Sequence, residues 1–277
     1  MNYYEVTFIL EPLLPAREVL LAELADQGFE SFVETDDGVK GYIQENLFED
    51  ALLANLMARN IPDQQFSFST SLIEDQNWNA EWEKNFDPII VDDKCLIRAP
   101  FHADMPSFQY EINIEPKMSF GTGHHATTHL VISEMMKVDL HDKIVLDMGC
   151  GTGVLAILAE KLGAHTIDAI DIDEWAFENT IENIERNGCK AINVMQGGAE
   201  VIPVNSSYDV ILANINRNIL VRDMQHYNSA LKAGGTIFFS GFYTMDKSEI
   251  DQEAGNYGWQ LTSQEARGEW CMLRYEK

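Results

Sequence analysis

The stretch Asp147-Met148-Gly149-Cys150-Gly151-Thr152-Gly153 stands between a short apolar run, Lys143 to Leu146, and an apolar-rich segment, Val154 to Leu162, that Gly163 ends. As strand, glycine turn and helix, it forms the corner at which a doubly wound α/β sheet holds its ligand, outside the carboxyl ends of the strands. Gly149, Gly151 and Gly153 permit sharp bends and leave no side chains between loop and ligand. The helix beginning at Val154 adds free backbone N–H groups. Two cofactor classes compete for such a loop. A dinucleotide fold spaces its glycines as G-x-G-x-x-G, and here Val154 takes the third glycine's place. Glycine recurs at 153 instead, and an acid, Asp147, opens the motif. A carboxylate at the strand end suits the cationic methionine moiety of S-adenosylmethionine better than the pyrophosphate of NAD.

Beyond the loop the chain keeps alternating strand and helix, which implies a parallel sheet. Strands are predicted over Thr166 to Ile170, Ile192 to Met195, Asp209 to Ala213 and Thr236 to Ser240. Helices are predicted over Glu174 to Asn187, Asn218 to Leu231 and near Met245 to Asn256, with a closing hairpin around Trp259 to Ser263 and Trp270 to Tyr275. The first of these strands leads into Asp168-Ala169-Ile170-Asp171-Ile172-Asp173. Asp171, about twenty residues past the first glycine, is where a carboxylate accepts hydrogen bonds from both ribose hydroxyls. Asp173 reads as the cap of the next helix, and Gly197-Gly198-Ala199-Glu200 as a border for the adenine.

The strand at Asp209 ends in Ala213-Asn214-Ile215-Asn216. Methyl transfer is an in-line displacement, so catalysis is chiefly alignment of an electron pair with the sulfonium methyl. The side-chain oxygen of Asn214 suits it to hold an amine, and Asn214 is the candidate catalytic residue. Enzymes acting on planar nitrogens often carry Asn-Pro-Pro-Tyr here; Asn-Ile-Asn-Arg favours a flexible aliphatic amine. A lysine with pKa about 10.4 is neutral in only about one molecule in 10^3 to 10^4 at neutral pH. Desolvation at the pocket mouth lowers that pKa and water can take the proton, so no dedicated base is required. Cys150 reads as a small loop residue rather than a nucleophile.

Upstream lies Ser119-Phe120-Gly121-Thr122-Gly123-His124-His125-Ala126-Thr127-Thr128-His129. This segment either folds over the methionine end, with Thr128 or Thr127 donating to its carboxylate, or simply caps a helix. His125 and His129 stand one turn apart as in a zinc protease helix, but Ala126 takes the place of the required Glu, so no metal is expected. Before it, Glu74 to Asp87 reads as a helix with Trp78 and Trp82 on one face, packed into a core or seam or else stacking on a substrate. The first seventy or so residues alternate as strand (Tyr3 to Leu10), helix (Pro15 to Gln27), two strands (Phe29 to Glu34 and Val39 to Gln44), a helix capped by Asn46 with Leu52, Leu53, Leu56 and Met57 on its apolar face, and a strand (Phe66 to Ile73). That is the split order of ferredoxin-like domains. It holds no cluster suited to chemistry, so it docks or selects substrate, or is purely structural.

The 277 residues carry 45 Asp and Glu against 19 Lys and Arg, a formal net charge of −26. Such a field repels phosphate backbones, so no direct nucleic-acid contact is expected; a basic substrate suits it better, although acidity also serves solubility alone. The four cysteines form no Cys-x-x-Cys pair, which argues against zinc ribbons and redox dithiols. With no basic, apolar leader and no membrane-length apolar run, the expectation is a cytoplasmic enzyme acting as a monomer.

With these residues assembled, the chain resembles the bacterial ribosomal protein methyltransferases that modify ribosomal protein eleven of the large subunit. Phe120-Gly121-Thr122-Gly123-His124-His125-Ala126-Thr127-Thr128 is similar to that family's Phe-Gly-Thr-Gly-x-His-x-Thr-Thr signature, with the Asp147 to Gly153 loop at matching distance. Asp171 and Ala213-Asn214-Ile215 fall where the family has its ribose-binding acid and its Ala-Asn-Ile motif. The resemblance implies a class I, Rossmann-like methyltransferase sheet over 89–277, a linker helix over 74–88 and a ferredoxin-like α+β substrate-recognition domain over 1–73. It implies S-adenosylmethionine as cofactor, bound by Thr128, Gly149, Gly151, Asp171 and Asn214, and trimethylation of lysine and terminal amines on the ribosomal protein. The short, acidic amino-terminal region departs from the family pattern, as does His124 at a variable position. Two other readings stay open on the residues alone: a methyltransferase for another protein or a small amine, and a ribosome-associated binding protein without catalysis.

Overall fold

The computed structural model describes residues 2–54, 56–73, 87–103, 105–116 and 126–277. The chain divides into two compact units, Met1–Asn85 and Phe86–Lys277. The linker helix expected over 74–88 lies outside the described residues, Trp78 and Trp82 included, apart from Asp87 and Pro88, which are not helical.

In the first unit β1 (Tyr3–Glu11), β2 (Ser31–Thr35), β3 (Gly38–Gln44) and β4 (Gln65–Ile73) form a sheet of order β2-β3-β1-β4, every pair antiparallel. The two-residue periodicity sends Val6, Phe8 and Leu10 of β1 and Val39 and Ile43 of β3 to one face, where Leu20 and Leu24 of α1 (Ala16–Asp26) complete a core with Leu53 and Leu56. The second helix differs from expectation. Asn46 lies in a 3-10 turn, Glu45–Leu47, and α2 runs only from Asp50 to Ala54, followed by a second 3-10 turn at Met57–Asn60. The reason is tertiary. The Glu23 carboxylate of α1 accepts from Met57 N at 2.6 Å and Ala58 N at 3.0 Å, taking N–H groups that a continuing helix would have turned onto its own carbonyls. Met57, expected on the apolar face, is accordingly exposed.

The second unit is built on a seven-stranded sheet of order β10-β9-β8-β11-β12-β14-β13. Its parallel part comprises β8 (Ile144–Met148), β9 (Thr166–Asp171), β10 (Ile192–Gln196), β11 (Tyr208–Asn214) and β12 (Leu231–Tyr243). β13 (Gln260–Arg267) and β14 (Trp270–Glu276) form the expected antiparallel hairpin, with β14 paired to β12. Both faces are covered, so the strands read as nearly continuous apolar runs. Val145, Val210, Leu212 and Phe238 face a core shared with α3 (Ala126–Met135), α4 (Val154–Lys161) and a small sheet of β5 (Ile89–Val91), β6 (Cys95–Arg98) and β7 (Tyr110–Asn113). Leu146, Ile211, Ile237 and Phe239 face a second core with α6 (Arg217–Ala230) and α7 (Lys247–Asn256). From β8 the chain steps to β9 and β10 on one side, then returns to β11 and β12 on the other. The reversal between β8 and β11 opens a crevice at their carboxyl ends. No helix of the described residues is long and apolar enough to cross a membrane.

Candidate active site

The crevice holds a cavity of about 440 Å³ whose walls include Gly149, Gly151, Asp171, Gly197, Asn214 and Trp270. Register explains the gathering. Ala213 pairs with Met148 and Asn214 with Ser240, so Asn214 comes level with the first residue of the glycine loop. The fit there is close. Gly149 has φ +71°, and a Cβ on it would lie 2.2 Å from Cγ2 of Ile215. Gly241, at φ +94°, lies against the same residue, with Ile215 O 2.5 Å from where its Cβ would be. Glycine at both positions lets Ile215 fill the floor beside Asn214.

The loop is held from below and from the side. Gly149 N and Cys150 N both donate to Ile170 O, at 2.8 and 3.0 Å. Asp171 Oδ2 accepts from Gly151 N at 2.8 Å and its Oδ1 from Asp173 N at 3.0 Å, which leaves lone pairs on both oxygens toward the cavity it lines. From α5 (Glu174–Arg186), Thr180 Oγ1 donates to Gly151 O at 2.8 Å and Asn183 Nδ2 to Thr152 O at 2.9 Å. Asp173 caps α5 as expected, accepting from Ala176 N. Asp147 lies beneath the loop, wholly buried. Its Oδ2 accepts from Ala156 N at 3.0 Å and its Oδ1 has no partner among the described residues. Burial pushes its pKa up to about 7, the Ala156 N–H draws it down, and the negative charge of Asp171 raises it further. Cys150 is buried and its thiol is pushed well above the usual range, which leaves no thiolate for nucleophilic attack.

Asn214 carries the second feature. Its Nδ2 donates to Thr128 Oγ1 at 3.3 Å, while its buried Oδ1 has no partner among the described residues. Thr128 therefore sits behind Asn214, fully buried on α3, and is not among the described residues lining the cavity. Its helix is fixed to the sheet by the buried Glu134, which pairs with Arg274 of β14 at 3.2 Å. Gly197 and Gly198, and Ile219, Arg222 and Asp223 of α6, also line the cavity. A second recess of about 390 Å³ shares Asn216, Gly241 and Trp270 with the first. There the Trp270 ring lies 4.3 Å from that of Tyr243, centroid to centroid, and Arg217 joins Asp246 at 2.9 Å and Glu249 at 3.1 Å.

The structure thus brings Gly149, Gly151, Asp171 and Asn214 to one cavity and sets Thr128 against Asn214. His125 and the segment 117–125 lie outside the described residues. His129 is half-buried, and burial together with the Arg267 charge lowers its pKa. Sequence reasoning missed Trp270, Ile219, Thr180 and Asn183. The last two carried a signal, being polar side chains three residues apart on the buried face of a helix.

A family model described as Ribosomal protein L11 methyltransferase (PrmA) matches residues 13–277. A Bacteroides fragilis protein named ribosomal protein L11 methyltransferase is 45% identical over 278 residues, 99% of each chain. A Chlorobaculum tepidum protein of the same name is 40% identical, covering 80% of this chain and 78% of its own. Among solved structures, a ribosomal protein L11 methylase from Lactobacillus delbrueckii subsp. bulgaricus superposes with a TM-score of 0.64 at 28% identity, over 69% of this chain and 98% of that one. A Pyrococcus furiosus methyltransferase shares the fold, with a TM-score of 0.51 at 20% identity over 60% and 89% of the two chains. On the extent and identity of these matches, the chain belongs to the ribosomal protein L11 methyltransferase family.

Proposed function

We propose that the protein transfers methyl groups from S-adenosylmethionine to amino groups of ribosomal protein L11, on lysine side chains and the terminal amine. The observation that carries this reading is the buried Asn214, whose Oδ1 has no partner among the described residues, on the wall of a cavity at the sheet's switch point. A buried carbonyl oxygen without a donor is unfavourable by about 1–3 kcal/mol, and the N–H of an incoming amine supplies the donor.

The residues fit the cofactor. Asp171 offers lone pairs to two ribose hydroxyls, and Gly149 and Gly151 of the loop border the same cavity with no side chain to obstruct a ligand. Bound there, S-adenosylmethionine supplies an electrophilic methyl group. The protein's own part is alignment and water exclusion. Asn214, held by Thr128, accepts a hydrogen bond from the amine and points its lone pair along the axis of displacement. The apolar Ile215 and the Trp270 ring in the cavity lining desolvate the ammonium form, which lowers its pKa, and the proton passes to water.

Incubation of purified enzyme with S-adenosylmethionine and ribosomal protein L11, read by intact-mass spectrometry, tests the proposal. L11 should gain whole methyl groups, mapped by peptide sequencing to amines. An unmodified L11 alongside a cofactor-binding enzyme would point to another acceptor, and absence of cofactor binding would point to a non-catalytic protein.

A further inference from the structure

The four-stranded sheet of the first unit ends on β4, whose second edge pairs with nothing among the described residues. A free edge offers a row of backbone N–H and C=O groups to any passing strand, and proteins guard such edges with charge, proline, bulges or shortness. β4 has none of these. Its sequence, Gln65-Phe66-Ser67-Phe68-Ser69-Thr70-Ser71-Leu72-Ile73, has no charged residue, no proline and no glycine. It pairs with β1 through nine consecutive positions, from Tyr3 with Ile73 to Glu11 with Gln65, without a register shift. Every residue but Phe66 is exposed.

The other described edges show what guarding looks like in this chain. β2, the opposite edge of the same sheet, has five residues and carries Glu34, which is ion-paired to Arg17. β13 has Glu265 and Arg267 and a register break between Leu261 and Ser263. β10 has five residues and β5 three. Only β4, among the described edges, is both long and unguarded.

We infer that the free edge of β4 receives an extended, lysine-rich segment of the protein substrate as a fifth strand. The inference rests on the proposed methylation of L11 and adds where that protein is gripped. Strand addition takes affinity from main-chain hydrogen bonds, and alternate residues of β4 turn their N–H and C=O groups outward for it. Charge selects the occupant. Residues 1–73 hold thirteen Asp or Glu against three Lys or Arg, so a basic segment is drawn to this unit while a second copy of the chain is repelled.

The test uses the full-length enzyme and intact L11. Hydrogen–deuterium exchange of the wild type should show slowed exchange of amides within Gln65–Ile73 when L11 is added. The variant Ser69→Lys/Ser71→Lys installs the guard that natural edges carry. It should raise Kd and KM for L11 by roughly tenfold or more while leaving S-adenosylmethionine affinity and Tm close to wild type. Unprotected β4 amides in an enzyme that binds and methylates L11 would overturn the inference, as would unchanged KM in the folded variant. Wild-type dimerisation through β4, abolished by the substitutions with L11 binding intact, would assign the edge to a second copy instead. A wild type inactive on L11 would defeat the functional reading itself, a result separable from all of these.

Discussion

Asp147 is a carboxylate placed where water cannot reach it, with one oxygen on Ala156 N and the other without a partner among the described residues. Its folded pKa of about 7 lies above the unfolded value of 3.8, so between these the native state holds a proton that the unfolded chain has released. Stability rises with pH only where the unfolded state binds more protons. The contribution of Asp147 therefore falls as pH rises from about 4 to about 7 and levels off beyond. Thermal unfolding of the ligand-free wild type and of Asp147→Asn across that window should show the variant gaining stability relative to the wild type as pH rises; a difference that does not change with pH would mean the carboxylate is already ionised at low pH. Asp171 makes a different case, because it lines the cavity and also holds Gly151 N and Asp173 N. Asp171→Ala should weaken S-adenosylmethionine binding tenfold to hundredfold, about 1.4–3 kcal/mol, by calorimetry on a variant that remains folded. Unchanged affinity would remove the ribose assignment. Both acids were legible in the sequence, since each stands at a fixed offset from the glycines. The partnering of Thr128 with Asn214 was not, because a hydroxyl eighty-six positions away can be matched to an amide only after β11 and α3 have packed.

The glycine loop is held by its neighbour helix α5 as much as by its own backbone. Asn179, Thr180 and Asn183 are fully buried on α5, where a simple apolar stripe would have been expected. Thr180 and Asn183 satisfy the carbonyls of Gly151 and Thr152, which the bends of the loop leave without helical partners. Asn183 also accepts from Glu115 N at 2.8 Å, so it ties the loop to the segment after β7. We expect Asn183→Leu to lower stability by about 2–4 kcal/mol, since it strands buried backbone groups, and to weaken cofactor binding more than it weakens the fold. Thr180→Val should cost about 1 kcal/mol. Denaturant melts alongside calorimetry separate the two effects; a variant that loses stability with no loss of affinity would make the clamp purely structural. Strand and helix order in the second unit could be read directly from periodicity, because strands buried on both faces and helices ended by Gly163 and Gly188 leave little ambiguity. The helix expected after Asn46 failed where local pattern met a remote partner, the Glu23 carboxylate.

The whole chain is strongly acidic and divides into two compact units. The second unit, Phe86–Lys277, contains every described cavity residue, both apolar cores of the large sheet and all the hydrogen bonds that shape the glycine loop. The first unit contributes its own core, its acidic surface and the open edge of β4. A chain lacking residues 1–73 is therefore expected to bind S-adenosylmethionine with wild-type affinity and to lose methylation of L11, because a cavity without a docking unit meets its acceptor only by chance collision. The salt dependence of the intact enzyme should agree. An attraction between this acidic chain and the lysine-rich segment inferred for β4 is screened over a Debye length of about 10 Å at 0.1 M ionic strength, so KM for L11 should climb with added salt while cofactor affinity stays level. A truncated enzyme that still modifies L11 at the wild-type rate would show that recognition resides wholly in the catalytic unit, and the charge of the first unit would then have solubility as its sole remaining role.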